Sequence, residues 1–393
     1  MMTGKPPEQE RIVDVFLRYL QAEGASVIFG IPGGLLHPFF EEVDSDPRFR
    51  LIVTKHEEGA AFMADGYART SHKLAVCAGT SGPGATNLLT GVSCAFADSV
   101  PLLVITGQAA SHAIGKGAAQ ETGREDMDIV AMFRPVTKYS AMIPYPAAMP
   151  SHLRRALRAA LTGRPGPVHL NVPVDFWDKP VSEDWFDPTT YRPECRTFDR
   201  SAVKRATDAL LNARHPVLLA GSGVGIAEAE GNLRSLAELL PARIATSPRA
   251  KGLFPEDHPL SLGVFGFAGH RLARETVLGS GVDVLMTIGA SLNETTTFNW
   301  HSNLEPSVCL IQLDVDPDKV GRNYPVDIPL VGDAKAVLTE VVYHAHRSIR
   351  EGKEPSSCWS SELPLPPWKE RCLKTDLIDS DACPVSPQRW RAD

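Results

Sequence analysis

The residues LIVT at 51–54, followed by KHEEGAAFMADGYAR at 55–69, decide how the first half of the chain is read. A short apolar run ends and the acidic pair Glu57–Glu58 follows. A helix then opens, with small residues at Gly59, Ala60, Ala61, Ala64, Gly66 and Ala68. Small residues let a second helix approach closely. In an open α/β sheet, ligands gather outside the carboxyl ends of the strands, where this acidic pair falls. A carboxylate there has two readings, a functional group or a charge that stabilises the helix N-terminus.

The same grammar repeats on either side. A periodic helix spans Ile12–Ala22. SVIFG at 26–30 reads as a strand that ends in the turn Ile31-Pro32-Gly33-Gly34. LAVCA at 74–78 is a strand, and Thr80-Ser81-Gly82-Pro83-Gly84 turns the chain into a helix through Ala97. PLLVIT at 101–106 is a strand that runs into Gly107 and Gln108. GRPGPVHLNVPV at 163–174 closes the block with a buried strand. Strands alternating with helices imply a parallel sheet covered on both faces, and apolar runs without alternation fit strands buried on both sides. After a polar, proline-containing connector at 178–197, a second α/β block shows strands at 216–220, 242–246, 282–288 and 308–313. Its helices fall at 202–213, 228–240 and 334–347. The expected fold is therefore α/β, with two doubly wound parallel-sheet domains at 8–178 and 198–348. Residues 349–393, rich in Pro and Ser, read as a linker.

Composition narrows the class. The 393 residues carry a formal net charge of −7, which argues against a nucleic-acid binder. Seven scattered cysteines with no CxxC pair fit reduced thiols in a cytoplasm better than a disulfide framework or a zinc site. The polar N-terminus shows no signal-peptide core, and no stretch of about eighteen apolar residues suggests a membrane span.

In order, the segments read as strand-end turns are GIPGG, KHEEGAAFMADGYAR, TSGPGATN, ITGQ, AAQE, VTKYS and GRPGPVHLNVP. In order and wording they resemble the pyrimidine-binding domain of thiamine-diphosphate enzymes of the acetolactate synthase type. Gly221-Ser222-Gly223-Val224, KGLFPEDHPL at 251–260, LDVDP at 313–317 and VGDAK at 331–335 resemble that family's Rossmann-like middle domain. The resemblance covers roughly residues 12–345.

The resemblance implies that thiamine diphosphate serves as an electron sink for decarboxylation of a 2-keto acid, pyruvate by default, and for joining the product to an acceptor. It gives Glu57 the family's proton-sharing contact with the pyrimidine ring nitrogen. It sets Thr80, Pro83 and Asn87 around the aminopyrimidine, and Gly33, Gly34 and Gln120 near the reacting centre. Lys138 matches a pocket lysine, a surface lysine being its plain alternative. Ala119 stands where relatives usually carry an aromatic residue, which implies a larger or differently shaped pocket. The middle domain of acetolactate synthases binds flavin (FAD). The Gly221–Gly223 turn is the candidate pyrophosphate contact. However, Ser291-Leu292-Asn293-Glu294-Thr295-Thr296-Thr297 replaces the usual Arg-Phe-Asp-Asp-Arg, which speaks against flavin.

The family holds the cofactor diphosphate through Mg²⁺ in a Gly-Asp-Gly motif, and this sequence has none. Ser-Pro-Gln at 386–388 resembles the opening of the diphosphate-binding domain. The expectation is a split enzyme: thiamine diphosphate is shared with a partner chain, a separate diphosphate-binding subunit that carries the Mg²⁺, and the chain self-associates as a homo-oligomer. A truncated inactive homologue and a catalytically silent nucleotide-binding or regulatory subunit are the alternatives.

Overall fold

The computed structural model describes residues 9–123, 127–182, 185–192 and 197–359. It divides into two compact units, 1–194 and 195–393. Most of the segment read as a linker, from residue 360 onward, lies outside the described residues.

The first unit is built on six parallel strands: β1 (Val27–Gly30), β2 (Arg50–Val53), β3 (Ala75–Gly79), β4 (Leu102–Gln108), β5 (Tyr139–Met142) and β6 (Val168–Pro173). Their spatial order is β2-β1-β3-β4-β6-β5. The two central strands β3 and β4 are buried at every residue, as their unbroken apolar runs require. The order reverses between β1 and β3. The crevice where ligands of open α/β sheets bind is at such a reversal.

Helices cover both faces. On one, α1 (Ile12–Ala22) and α2 (His37–Ser45) pack with the helix Met149–Leu161 over a core that includes Phe16, Phe39 and Trp177. The three rings meet within 5.1–5.9 Å. On the other, α3 (Glu57–Ser71) and α4 (Pro83–Asp98) lie together over β1, β3 and β4, their small residues buried with Cys77 and Val104.

The second unit has six parallel strands as well: β7 (Val217–Ala220), β8 (Arg243–Thr246), β9 (Ser261–Val264), β10 (Val284–Ile288), β11 (Cys309–Asp314) and β12 (Ile328–Val331). Their order, β9-β8-β7-β10-β11-β12, is that of a dinucleotide-binding fold. The helix Ala334–Arg350 closes one face. The chain beyond it stays on this unit: Trp359 is buried, and its indole donates to the carbonyl of Pro216 at 2.7 Å. The start of the segment read as a linker thus contributes a core side chain. Among the described residues no helix is long and apolar enough to cross a membrane.

Candidate active site

The site grows out of the three turns that follow β1, β2 and β3. After β2 the chain reaches His56 in an extended conformation, and its Nδ1 accepts the backbone N–H of Glu58 at 3.2 Å. This cap starts α3 at Glu57, so the carboxylate sits on the first turn at the carboxyl edge of the sheet. After β3, Gly82 takes φ +63° and ψ −121°, a conformation that side-chain-bearing residues avoid. It lets Pro83 stand at the first position of α4.

The two helices meet at three levels. At the top, Asn87 Nδ2 donates to Glu57 Oε2 at 3.0 Å. One turn below, a methyl on Gly91 would lie 2.6 Å from Ala61 Cβ, so the backbones are as close as hydrogen allows. At the bottom, Arg69 binds Asp65 at 2.7 Å and Asp98 at 2.8 Å. These two carboxylates raise the guanidinium's pKa above its usual value. Together the contacts hold Glu57 and Asn87 in one geometry.

Glycines clear the space around the carboxylate. A Cβ on Gly84 would meet Thr80 Cγ2 at 2.8 Å and Glu57 Oε1 at 3.3 Å. A Cβ on Gly33 would meet Thr80 Cβ at 2.6 Å. Thr80 Oγ1 is buried with no hydrogen-bond partner, a costly state for a hydroxyl unless a ligand completes it. Gln120 takes φ +57°, and its Cβ lies 3.8 Å from where a Cβ on Gly82 would sit. The structure therefore brings together Glu57, Asn87, Thr80 and Gly33, with Gln120 beside the Gly82 turn. Pro83 is the exposed first residue of α4, and Gly34, also exposed, opens the short 3₁₀ turn Gly34–Leu36.

A carboxylate acceptor, a spare hydroxyl and glycine-cleared space fit an aminopyrimidine, which offers ring nitrogens and an exocyclic amine. Among the described residues there is no group of three or more His, Cys, Asp or Glu that could hold a metal ion.

Two sequence expectations need correction. VTKYS does not follow a strand. Lys138 immediately precedes β5, at the amino end of the sheet, opposite the cluster. Its ammonium donates to the carbonyls of Thr162 at 3.0 Å and Arg164 at 2.6 Å, and partial burial lowers its pKa. In the second unit, the Gly221–Gly223 turn is not an open pyrophosphate cradle. The N–H of Gly221 is spent on the Ile288 carbonyl at 2.8 Å, and that of Gly223 on Gly289 at 3.1 Å. A Cβ on Gly221 would fall 2.1 Å from the Gly289 carbonyl oxygen. These glycines serve the close packing of two turns.

Sequence reasoning missed the roles of His56, Gly84, Gly91 and Gln108. Gly91 alone left a readable signal, a glycine in the middle of an otherwise apolar helix.

Comparison with known proteins identifies relatives of both units. Residues 10–132 match the family described as thiamine pyrophosphate enzyme, N-terminal TPP binding domain, and residues 203–341 match its central domain. The probable acetolactate synthase large subunit of Methanocaldococcus jannaschii is 37% identical over 387 residues, covering 97% of this chain and 62% of that protein. The acetolactate synthase large subunit of Corynebacterium glutamicum is 35% identical over 353 residues, covering 89% of this chain and 55% of the relative. An X-ray structure assigned to a thiamin diphosphate-dependent enzyme from Mycobacterium smegmatis superposes with a TM-score of 0.73 at 25% identity. That match covers 86% of this chain and 63% of the other. The chain thus spans less than two thirds of the length of these relatives. It belongs to the thiamine pyrophosphate enzyme family, of which it carries the N-terminal TPP-binding domain and the central domain.

Proposed function

We propose that this chain is the pyrimidine-binding part of a thiamine-diphosphate-dependent carboligase or decarboxylase acting on a 2-keto acid. The observation that carries the reading is the Glu57 carboxylate, fixed by Asn87 at 3.0 Å beside the unpartnered Thr80 hydroxyl. Thiamine diphosphate, when bound, supplies the electron sink that decarboxylation needs.

The chain's own residues do the rest. Glu57 holds or shares a proton with the pyrimidine ring nitrogen, as a positioned carboxyl does in general acid–base catalysis. Asn87 fixes the carboxylate so that it is not free to turn into water. Thr80 offers its hydroxyl to the ring, and Gly33 and Gly84 let the ring come close. Gln120 borders the space where the 2-keto acid would stand. Lys138 has no part in it.

No Gly-Asp-Gly occurs in these 393 residues. In this proposal the diphosphate and its Mg²⁺ are held by a diphosphate-binding domain outside these 393 residues. The exposed apolar side chains on and beside α3 and α4, Val53, Phe62, Met63 and Phe96, support self-association. The test mixes the chain with a diphosphate-binding domain from a relative, Mg²⁺, thiamine diphosphate and pyruvate. Release of carbon dioxide by the wild type and none by Glu57→Gln is expected. Release at an equal rate from Glu57→Gln would refute the assignment.

A further inference from the structure

Gln108, the last residue of β4, is completely buried, and the chemistry above does not use it. Its carboxamide lies against Thr122, two residues past Gln120. Oε1 accepts the N–H of Ala109 at 2.8 Å and of Thr122 at 3.1 Å. Nε2 donates to the Thr122 carbonyl, to Thr122 Oγ1 at 2.9 Å and to Asn171 Oδ1 at 3.2 Å. One side chain thus takes both backbone groups of Thr122, as a neighbouring strand would. Thr122 Oγ1 in turn lies 3.3 Å from Ser81 Oγ, next to Thr80.

The groups behind Gln108 fix which way its amide faces. Ser140 Oγ donates to the Val130 carbonyl at 2.9 Å, so it accepts from His169 Nδ1, also at 2.9 Å. His169 Nε2 then accepts the Thr106 hydroxyl proton at 2.7 Å. Burial holds this imidazole neutral, its pKa pushed down to about 3. Thr106 Oγ1 accepts from Asn171 Nδ2 at 3.0 Å, and the other Asn171 proton goes to Gly107 O at 2.8 Å. Both Asn171 protons are committed, so Asn171 Oδ1 must accept, and only an amine faces it from Gln108. From Ser140 to Asn171 every proton in this buried chain has one place, and a network satisfied in this way is rigid.

We propose that Gln108 is a positioning residue, which acts through Thr122 to hold Gln120 and the Ser81–Gly82 turn in register with Glu57. The proposal rests on the reading that this turn borders the cofactor pyrimidine. A glutamate in its place keeps the acceptor but turns an oxygen toward Thr122 O, Thr122 Oγ1 and Asn171 Oδ1. Protonation restores one donor, and burial among acceptors favours it.

The test measures hydrogen-exchange protection and saturation transfer to thiamine diphosphate on the full chain. Wild type, Gln108→Leu and Gln108→Glu are compared near neutral and at mildly acidic pH. Loss of the Oε1 acceptor in Gln108→Leu, and repulsion of the carboxylate by the acceptors it faces in Gln108→Glu, are expected to lower protection at Ala109 and Thr122 by about tenfold or more, with α3 and α4 unchanged. Probe binding should weaken in parallel. Mild acid should restore both in Gln108→Glu and neither in Gln108→Leu. Unchanged protection at these two amides, or loss without recovery in acid, would overturn the proposal. Absence of probe binding by the wild type would instead overturn the cofactor reading beneath it, whatever the exchange pattern.

Discussion

Adding a single methyl group at Gly91 tests whether the packing of α3 on α4 sets the catalytic geometry. Gly91 lies one turn after Asn87 and Ala61 one turn after Glu57, so the two close contacts are stacked along the same helix pair. In Gly91→Ala the new Cβ would start 2.6 Å from Ala61 Cβ and 3.1 Å from Phe62 N, where ordinary contact begins at 3.4 Å. Both atoms belong to rigid helix, so the helices must part by about 0.8 Å. Even parting would carry the Asn87–Glu57 bond from 3.0 Å to about 3.8 Å, beyond hydrogen-bonding distance. Overpacking costs about 1–3 kcal/mol. The alanine returns about 0.5–1 kcal/mol of helix propensity. With the loosened hydrogen bond included, a net loss of about 2 kcal/mol is expected, or roughly 4–8 °C in melting temperature for a unit of this size. Thermal and urea denaturation would measure it, with thiamine diphosphate binding followed in parallel. Gly66→Ala on the partner helix α3 is the control. Nothing lies within 4 Å of its Cβ, so it should be neutral or slightly stabilising. If Gly91→Ala matched Gly66→Ala in stability and kept wild-type binding, the claim that this contact holds Glu57 in place would be wrong.

Other outcomes follow from the same structure. His169 has a folded pKa of about 3 against an ordinary 6.5, so its contribution to stability is complete above pH 6.5 and is lost as pH falls toward 3. In that window unfolding takes up one proton, a slope of about 1.4 kcal/mol per pH unit, and His169→Gln should reduce the measured proton uptake by about one. Lys138→Met should lower stability by about 1 kcal/mol, because two carbonyls lose their donor, and leave thiamine diphosphate binding unchanged in a titration. A Trp359→Ala variant should lose about 3–5 kcal/mol of stability in the second unit, read by denaturation, since the ring is buried and its N–H pairs with Pro216.

Much of this was legible before any coordinates. Glu57 and Asn87 each stand at a fixed offset from an apolar run that can only be a strand, and strand–turn–helix grammar carries both to one edge. The continuous strands β3, β4, β7 and β10 were equally plain. Lys138 was misread because the direction of a strand decides which edge a flanking residue occupies. The four residues of β5 were too short and too polar to be seen as a strand at all. The edge strands β9 and β12 hid for a related reason: Gly263 interrupts the first, and the second contains Pro329, a residue that sheets tolerate at an edge. The glycines of the 221–223 turn show the opposite failure. A ligand cradle and a close backbone crossing demand the same residue, and only the positions of Gly289 and Ala290 separate the two.

The most direct test is nuclear magnetic resonance of the chain with thiamine diphosphate labelled at the pyrimidine ring nitrogen. Binding to the wild type should shift this nitrogen toward its protonated position, and Glu57→Gln should abolish the shift while the fold, judged by its amide spectrum, persists. An unshifted ring nitrogen in the wild-type complex, or the same shift in Glu57→Gln, would contradict it.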